Sequence, residues 1–200
     1  MDSANRTWPR AESLIVLTGL PRSGTSMLMQ MLAAGGMHVL SEGLREADED
    51  NPRGYLEFEP VKNLLKDSKW LFEGRGRVIK IVAPLLAASP PGLPCRVILS
   101  ERDLEDVLDS QERMLVRRNQ PLAATPERRR MLKEEYARTL GRVKDEPGYA
   151  TAADRTQPGD FRWARYCRKS EQVSRRRTDV AKMAAAVDPT LHRNRTGISG

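Results

Sequence analysis

The feature that most constrains the fold is a short apolar run followed by a turn that two glycines bracket. The run covers residues 14–18, the glycines are Gly19 and Gly24, and apolar residues then recur at helical spacing from Met27 onward. Glycine permits backbone geometry and close approach that side chains block. The pattern therefore predicts a buried strand, a tight loop and a helix whose first N–H groups point at an anion.

The loop departs from the Walker pattern at one position. Aligned on G-x-x-x-x-G-K-[ST], Gly19, Gly24 and Ser26 match, but Thr25 stands where P-loop kinases and nucleotidases have lysine. That lysine neutralises the β and γ phosphates, so we expect γ-phosphoryl chemistry to be disfavoured here. The basic group of the loop is Arg22 instead. A simpler interpretation, a strand-to-helix turn with a capping serine, stays open.

The sequence Pro-Arg-Ser-Gly-Thr-Ser at residues 21–26 resembles the 5′-phosphosulfate loop of sulfotransferases. These enzymes use the donor 3′-phosphoadenosine 5′-phosphosulfate (PAPS). In that family the basic residue after the proline is lysine in many cytosolic members and arginine in the tyrosylprotein branch, as it is here. The resemblance implies sulfuryl transfer to a hydroxyl acceptor, with Arg22 stabilising negative charge on the transferred group. It also implies that the donor is held by Gly19, Pro21, Arg22, Ser23, Gly24, Thr25 and Ser26.

A second motif lies in a predicted strand and the helix after it. Residues 95–100 read as a strand, and residues 103–118 predict a helix with one apolar face and an acidic first turn. Sulfotransferases bind the donor's 3′-phosphate with an arginine at a strand end and a serine eight positions later, and Arg102 and Ser110 have that separation. The two motifs together predict two separate anion pockets, one at each end of an adenosine. For this segment alone, an arginine paired with a neighbouring aspartate and a solvent-facing serine is an equal alternative.

Transfer to a hydroxyl needs a group that takes the proton, and a carboxylate or histidine is the common solution. The positions of His38 and His192 favour structural roles. Glu42 lies near the place of the base in the tyrosylprotein branch, and Glu57 lies in a stretch similar to one in bacterial sulfotransferase-like proteins. The sequence does not separate these two candidates. Lys80 either faces the site or extends its ammonium group to solvent.

Length and periodicity predict one α/β domain over residues 1–200, with a P-loop NTPase-like parallel sheet flanked by helices. The expected crossovers are right-handed, and the expected donor site lies at the carboxyl ends of the strands. A further helix is predicted with Thr125 as its cap and Pro126 at its first position. The predicted strands and helical segments are 14–18, 26–36, 58–71, 78–82, 95–100 and 103–118.

The resemblance covers about residues 13–145 and 178–195, and a C-terminal helix and tail are expected over residues 178–200. Between them, residues 146–177 contain Val173 as the only member of the set Ile, Leu, Val and Met, while arginines recur. This composition predicts neither a strand nor an apolar helix face. Two explanations stay open: a shifted reading frame or other divergence that leaves the interval disordered, and a natural basic linker. In both cases we expect the fold to be incomplete and activity to suffer.

Charge, cysteine content and hydropathy bear on the ligands and the cellular location that we expect for this chain. The net charge of +7 attracts anions generally. The two cysteines, Cys95 and Cys167, give neither a disulfide framework nor a zinc spacing. No apolar run reaches the length of a membrane span or a secretory signal. We therefore expect a cytoplasmic protein that uses no metal.

Two rival functions stay open. A P-loop kinase or nucleotidase would bind ATP together with Mg²⁺. A non-catalytic basic protein would bind nucleic acid through the arginines of residues 155–177, and its affinity would fall steeply with salt. The absence of an aromatic platform or helix-turn-helix pattern argues against nucleic acid. The acceptor and the oligomeric state do not follow from the sequence.

Overall fold

The structure is a computed structural model, and it describes residues 13–42, 47, 54–90, 93, 95–120, 125–145, 154–156 and 179–186. It is an α/β fold in which helices flank a parallel sheet, as predicted at this coarse level. The strands are β1 (Leu14–Gly19), β2 (Val78–Lys80), β3 (Cys95–Arg102) and β4 (Asp154–Thr156). The helices are α1 (Thr25–Ala34), α2 (Ala83–Leu86), α3 (Leu104–Arg117), α4 (Pro126–Asp145) and α5 (Val180–Ala185).

β1 lies inside the sheet, whose strand order is β2-β1-β3-β4 with every pair parallel. Val16 is opposite Ile79 on one side and Val97 on the other. All six residues of β1 are buried. Parallel strands covered on both faces read as unbroken apolar runs, which explains why this strand was visible in the sequence. The loop after β1 therefore starts from a rigid, central position.

Alternate residues of the strands serve two separate cores because successive side chains point to opposite faces of a sheet. On one face Val16, Ile79 and Leu99 pack with Val107 of α3 and Tyr136 of α4. The second core has as its buried members Ile15, Leu17, Leu28, Met29, Met31, Leu32, Met37, Val78, Ile98 and Met183. That second core includes residues of α1 and of α5, so both faces of the sheet are covered.

The predicted C-terminal helix is present as α5, and it packs on α1. Met183 is fully buried, and a Cβ at Gly35 would lie 2.6 Å from its Cγ. The Asp179 N–H donates to the Gly35 carbonyl at 3.1 Å. A residue larger than glycine at position 35 would therefore force the Met183 side chain to shift and disturb the packing of α5 on α1. The remainder of the predicted 178–200 tail lies outside the described residues.

The prediction of one helical segment over residues 58–71 is wrong. Two 3₁₀ helices, Glu59–Asn63 and Lys69–Glu73, occupy this region with a turn between them. In that turn Asp67 accepts from the Lys69 N–H through its side chain and from the Trp70 indole through its carbonyl. Local hydrogen bonds of an aspartate compete with helix formation, and the apolar spacing alone did not reveal them.

The prediction that residues 146–177 contain no strand is also wrong, because β4 lies within them. Asp154, Arg155 and Thr156 pair with the last three residues of β3. Strand pairing uses backbone N–H and C=O groups, so a short strand needs no apolar side chains. The rest of the interval lies outside the described residues. The shifted reading frame stays a hypothesis. Among the helices in the described ranges, none has both the length and the apolar character to cross a membrane.

Candidate anion-binding site at the strand ends

The loop after β1 has the backbone geometry that its two glycines predict. A Cβ at Gly19 would lie 2.7 Å from the carbonyl oxygen of Ser100, so a side chain does not fit there. Gly24 has φ of 95°, in the left-handed region, and is the N-cap residue of α1. It provides no side-chain cap to the first turn. The N–H groups at the start of α1 are therefore directed at the space above the loop.

Two buried hydroxyl groups beside this turn have no hydrogen-bond partner within the described part of the chain: Thr18 Oγ1 and Ser23 Oγ. Ser23 is 4% exposed, and leaving such a group unpaired costs about 1–3 kcal/mol. The backbone of Ser23 is fixed, because its carbonyl accepts from Ser100 Oγ at 2.7 Å. An orphaned hydroxyl next to helix N–H groups fits an anion with several acceptor oxygens.

The second sequence motif meets the first at Arg22. Arg102, the last residue of β3, donates from Nη1 to the Arg22 carbonyl at 3.1 Å. Arg22 in turn donates from Nε to Ser110 Oγ at 3.0 Å across 88 residues of sequence. Ser110 is 7% exposed, so the alternative of a solvent-facing serine is wrong. The structure joins the two residue sets directly through these hydrogen bonds, and their binding of the two ends of one adenosine stays a prediction.

Arg102 is the half-buried cation of this cluster. Burial lowers the pKa of Arg102 from its ordinary value, and the neighbouring Asp106 partly opposes that shift. Its Nε lies 3.7 Å from Asp106 Oδ2, so the pairing that the simpler alternative predicted is present as well. A guanidinium group keeps its charge even when partly buried. The side chain is therefore a fixed positive charge at the end of β3.

Lys80 brings a further cation to the site from the opposite side. It is the last residue of β2 and is 6% exposed, so the alternative that its ammonium group extends to solvent is wrong. Its Nζ lies 3.4 Å from Ser26 Oγ and 3.5 Å from Glu57 Oε1, and it donates to the Tyr55 carbonyl. The signal in the sequence was a single charge inside an otherwise apolar strand. Such a lysine needs a buried partner, and its partners here come from the glycine loop and from residues 55–57.

The two candidate bases lie in different surroundings. Glu57 is beside Lys80, with 29% of its side chain exposed. The carboxylate of Glu42 accepts from the Glu59 N–H at 3.2 Å, and its own N–H donates to the Glu57 carbonyl at 3.3 Å. Glu42 is therefore tied to the backbone of the segment that carries Glu57, whereas Glu57 contacts the site.

The other residues singled out from the sequence lie at several places in the fold. Pro21 is half-buried at the turn, Thr25 is the buried first residue of α1, and Ser26 follows it. His38 is exposed, and its carbonyl accepts from the Val78 N–H. Cys95 is buried, which raises the pKa of its thiol to about 11. His192 and Cys167 lie outside the described residues.

The carboxyl ends of three neighbouring strands thus supply one site: Lys80 from β2, the loop from β1 and Arg102 from β3. Ligands of open α/β sheets bind at such strand ends. The described residues contain no group of three or more His, Cys, Asp or Glu that could hold a metal ion. A scan against models of protein families found no match, and a search of curated proteins found none either.

Proposed function

We propose that this chain is a sulfotransferase that moves a sulfuryl group from PAPS to a hydroxyl acceptor. The observation that carries the proposal is the pair of hydrogen bonds that join Arg102, Arg22 and Ser110 at the glycine loop. These residues come from two motifs that lie 80 or more positions apart in the sequence. Their contact supports a ligand with two anionic groups close together, such as an adenosine carrying 3′ and 5′ substituents.

Each group in the site has a role that its chemistry suits. The N–H groups at the start of α1 and the hydroxyls of Ser23, Thr25 and Ser26 would hold the 5′-phosphosulfate. Arg102 and Ser110 would hold the 3′-phosphate, and Arg22 lies between the two sets. The donor supplies a sulfuryl group on a good leaving group. The protein supplies orientation and fixed positive charge where negative charge develops.

The position of Lys80 favours this chemistry over a P-loop kinase or nucleotidase. In P-loop NTPases the Ser or Thr of the loop helps to hold Mg²⁺. Here that position is Ser26, and the Lys80 ammonium lies 3.4 Å from its hydroxyl oxygen. A Mg²⁺ ion bound to this hydroxyl would lie close to the Lys80 ammonium group and be repelled by it. The geometry therefore supports a group-transfer reaction in which side chains, not a metal ion, neutralise the negative charge of the donor.

Calorimetric titration with adenosine 3′,5′-bisphosphate tests the proposal. We expect saturable binding without Mg²⁺, and roughly 10–100-fold weaker binding by Arg102→Ala, since a hydrogen bond to a charged group contributes about 1.5–3 kcal/mol. Arg130→Ala is the matched control because Arg130 is an exposed arginine of α4. Affinity for ATP that depends on Mg²⁺, with no binding of the bisphosphate, would favour the kinase instead. Equal losses for both variants would point to non-specific attraction by the basic surface.

A further inference from the structure

Residues 54–58 form a short segment that several hydrogen bonds hold against the site. Gln30 of α1 donates to the Gly54 carbonyl at 3.1 Å, and Lys80 of β2 donates to the Tyr55 carbonyl. The Glu42 N–H donates to the Glu57 carbonyl at 3.3 Å. Three different parts of the chain therefore fix the path of this segment.

The backbone of the segment is strained. Gly54 has φ of 79° and Leu56 has φ of 47°, and the left-handed region is unfavourable for leucine. Such conformations persist where the surroundings over-determine them, and they cluster at functional sites. The Leu56 side chain packs against the second core, which compensates for part of this strain. The result of the conformation is that the Tyr55 carbonyl and the Glu57 carboxylate both face Lys80.

We propose that Glu57 is the general base of the reaction and that Glu42 is a positioning residue; this rests on the proposed function. Glu57 Oε1 lies 3.5 Å from Lys80 Nζ, which itself lies 3.4 Å from Ser26 Oγ of the loop. Lys80 therefore links the Glu57 carboxylate to the anion site. The carboxylate is exposed enough for an acceptor to reach it. The Glu42 carboxylate is engaged with the Glu59 N–H, so it fixes the start of the next 3₁₀ helix.

The proposed step needs no reactant other than PAPS, the acceptor and these residues. The acceptor O–H proton moves to the Glu57 carboxylate as the acceptor oxygen forms its bond to sulfur. The bond between sulfur and the bridging oxygen breaks at the same time, and its electron pair leaves with adenosine 3′,5′-bisphosphate. Lys80 and Arg22 stabilise the negative charge that builds on the transferred and bridging oxygens.

Transfer from PAPS to phenol, whose hydroxyl stays protonated at neutral pH, is measured beside binding of the bisphosphate and tests the assignment. For Glu57→Gln we expect kcat to fall by about 100-fold or more, the contribution typical of a general base, with bisphosphate affinity within about twofold of the parent. Glu59→Gln is the matched control because this exposed carboxylate pairs with Lys62. Glu42→Gln keeps an oxygen for the Glu59 N–H and should lose much less than Glu42→Ala. A larger kcat loss in Glu42→Gln than in Glu57→Gln would overturn the proposal.

A measurement that needs no turnover provides a second test of which glutamate is the base. Carbon-detected NMR of the glutamate carboxyl groups, assigned with the same variants, should show the Glu57 signal shifting when bisphosphate and phenol bind. A shift of the Glu42 signal with none at Glu57 would refute the assignment. Failure of the parent chain to bind the bisphosphate at all would instead refute the proposed function, so the two failures are distinguishable.

Discussion

At the scale of single residues, Arg22 combines two contacts with an unfavourable backbone. Its φ is 72°, in the left-handed region, which costs a side-chain-bearing residue about 1–2 kcal/mol. Its Nε donates to Ser110 while its carbonyl accepts from Arg102. The turn therefore retains a strained arginine where glycine would fit better, which is typical of a residue kept for its side chain.

This strain predicts an unusual order of stability at position 22. We expect Arg22→Gly to be more stable than Arg22→Ala by about 1 kcal/mol in urea unfolding, because only glycine adopts positive φ freely. At the exposed helical position 130 the order should be the usual one, with Arg130→Ala more stable than Arg130→Gly by about 1 kcal/mol. Both variants of Arg22 should lose affinity for adenosine 3′,5′-bisphosphate. An alanine variant that is the more stable of the two at position 22 would show that the turn is not strained.

At the scale of elements, α3 matters because it connects the two residues of the second motif. Arg102 ends β3 just before the helix, and Ser110 lies inside it. Asp103 caps the helix by accepting from the N–H groups of Glu105 at 2.8 Å and Asp106 at 3.4 Å. The cap thus fixes the first turn of α3 immediately after Arg102. α4 has a comparable cap, since Thr125 Oγ1 accepts from the Arg128 N–H at 3.3 Å.

Removing each cap in turn should separate the effect on stability from the effect on binding. Asp103→Ala and Thr125→Ala should each lower the free energy of unfolding by about 1 kcal/mol. Only Asp103→Ala should also weaken binding of adenosine 3′,5′-bisphosphate, because α3 carries Ser110 whereas α4 supplies no proposed donor contact. Asp103→Asn, which retains an acceptor oxygen, should preserve both properties. Equal affinities in the two alanine variants would mean that the start of α3 does not position the site.

At the scale of the whole molecule, the sequence predicted those parts that local patterns encode. The unbroken apolar run of β1 and the glycines at positions 19 and 24 indicated the strand and the loop, and the amphipathic pattern indicated α3. The pairing of Arg22 with Ser110 spans 88 residues, so no local pattern encodes it. The sequence left the side of Lys80 open for a similar reason, since its burial depends on how β2 aligns with β1. β4 was missed because its pairing uses backbone groups, which composition does not report.

The proposed function requires that the loop and the strand-helix motif form one binding site for a bisphosphorylated adenosine. A double-mutant cycle of Arg22→Ala and Ser110→Ala, read by calorimetric titration with adenosine 3′,5′-bisphosphate, tests this most directly. We predict that each single variant binds more weakly, and that the losses are non-additive by roughly 0.5–3 kcal/mol because the two side chains share one hydrogen bond. Strictly additive losses, or no binding by the parent chain, would contradict the claim.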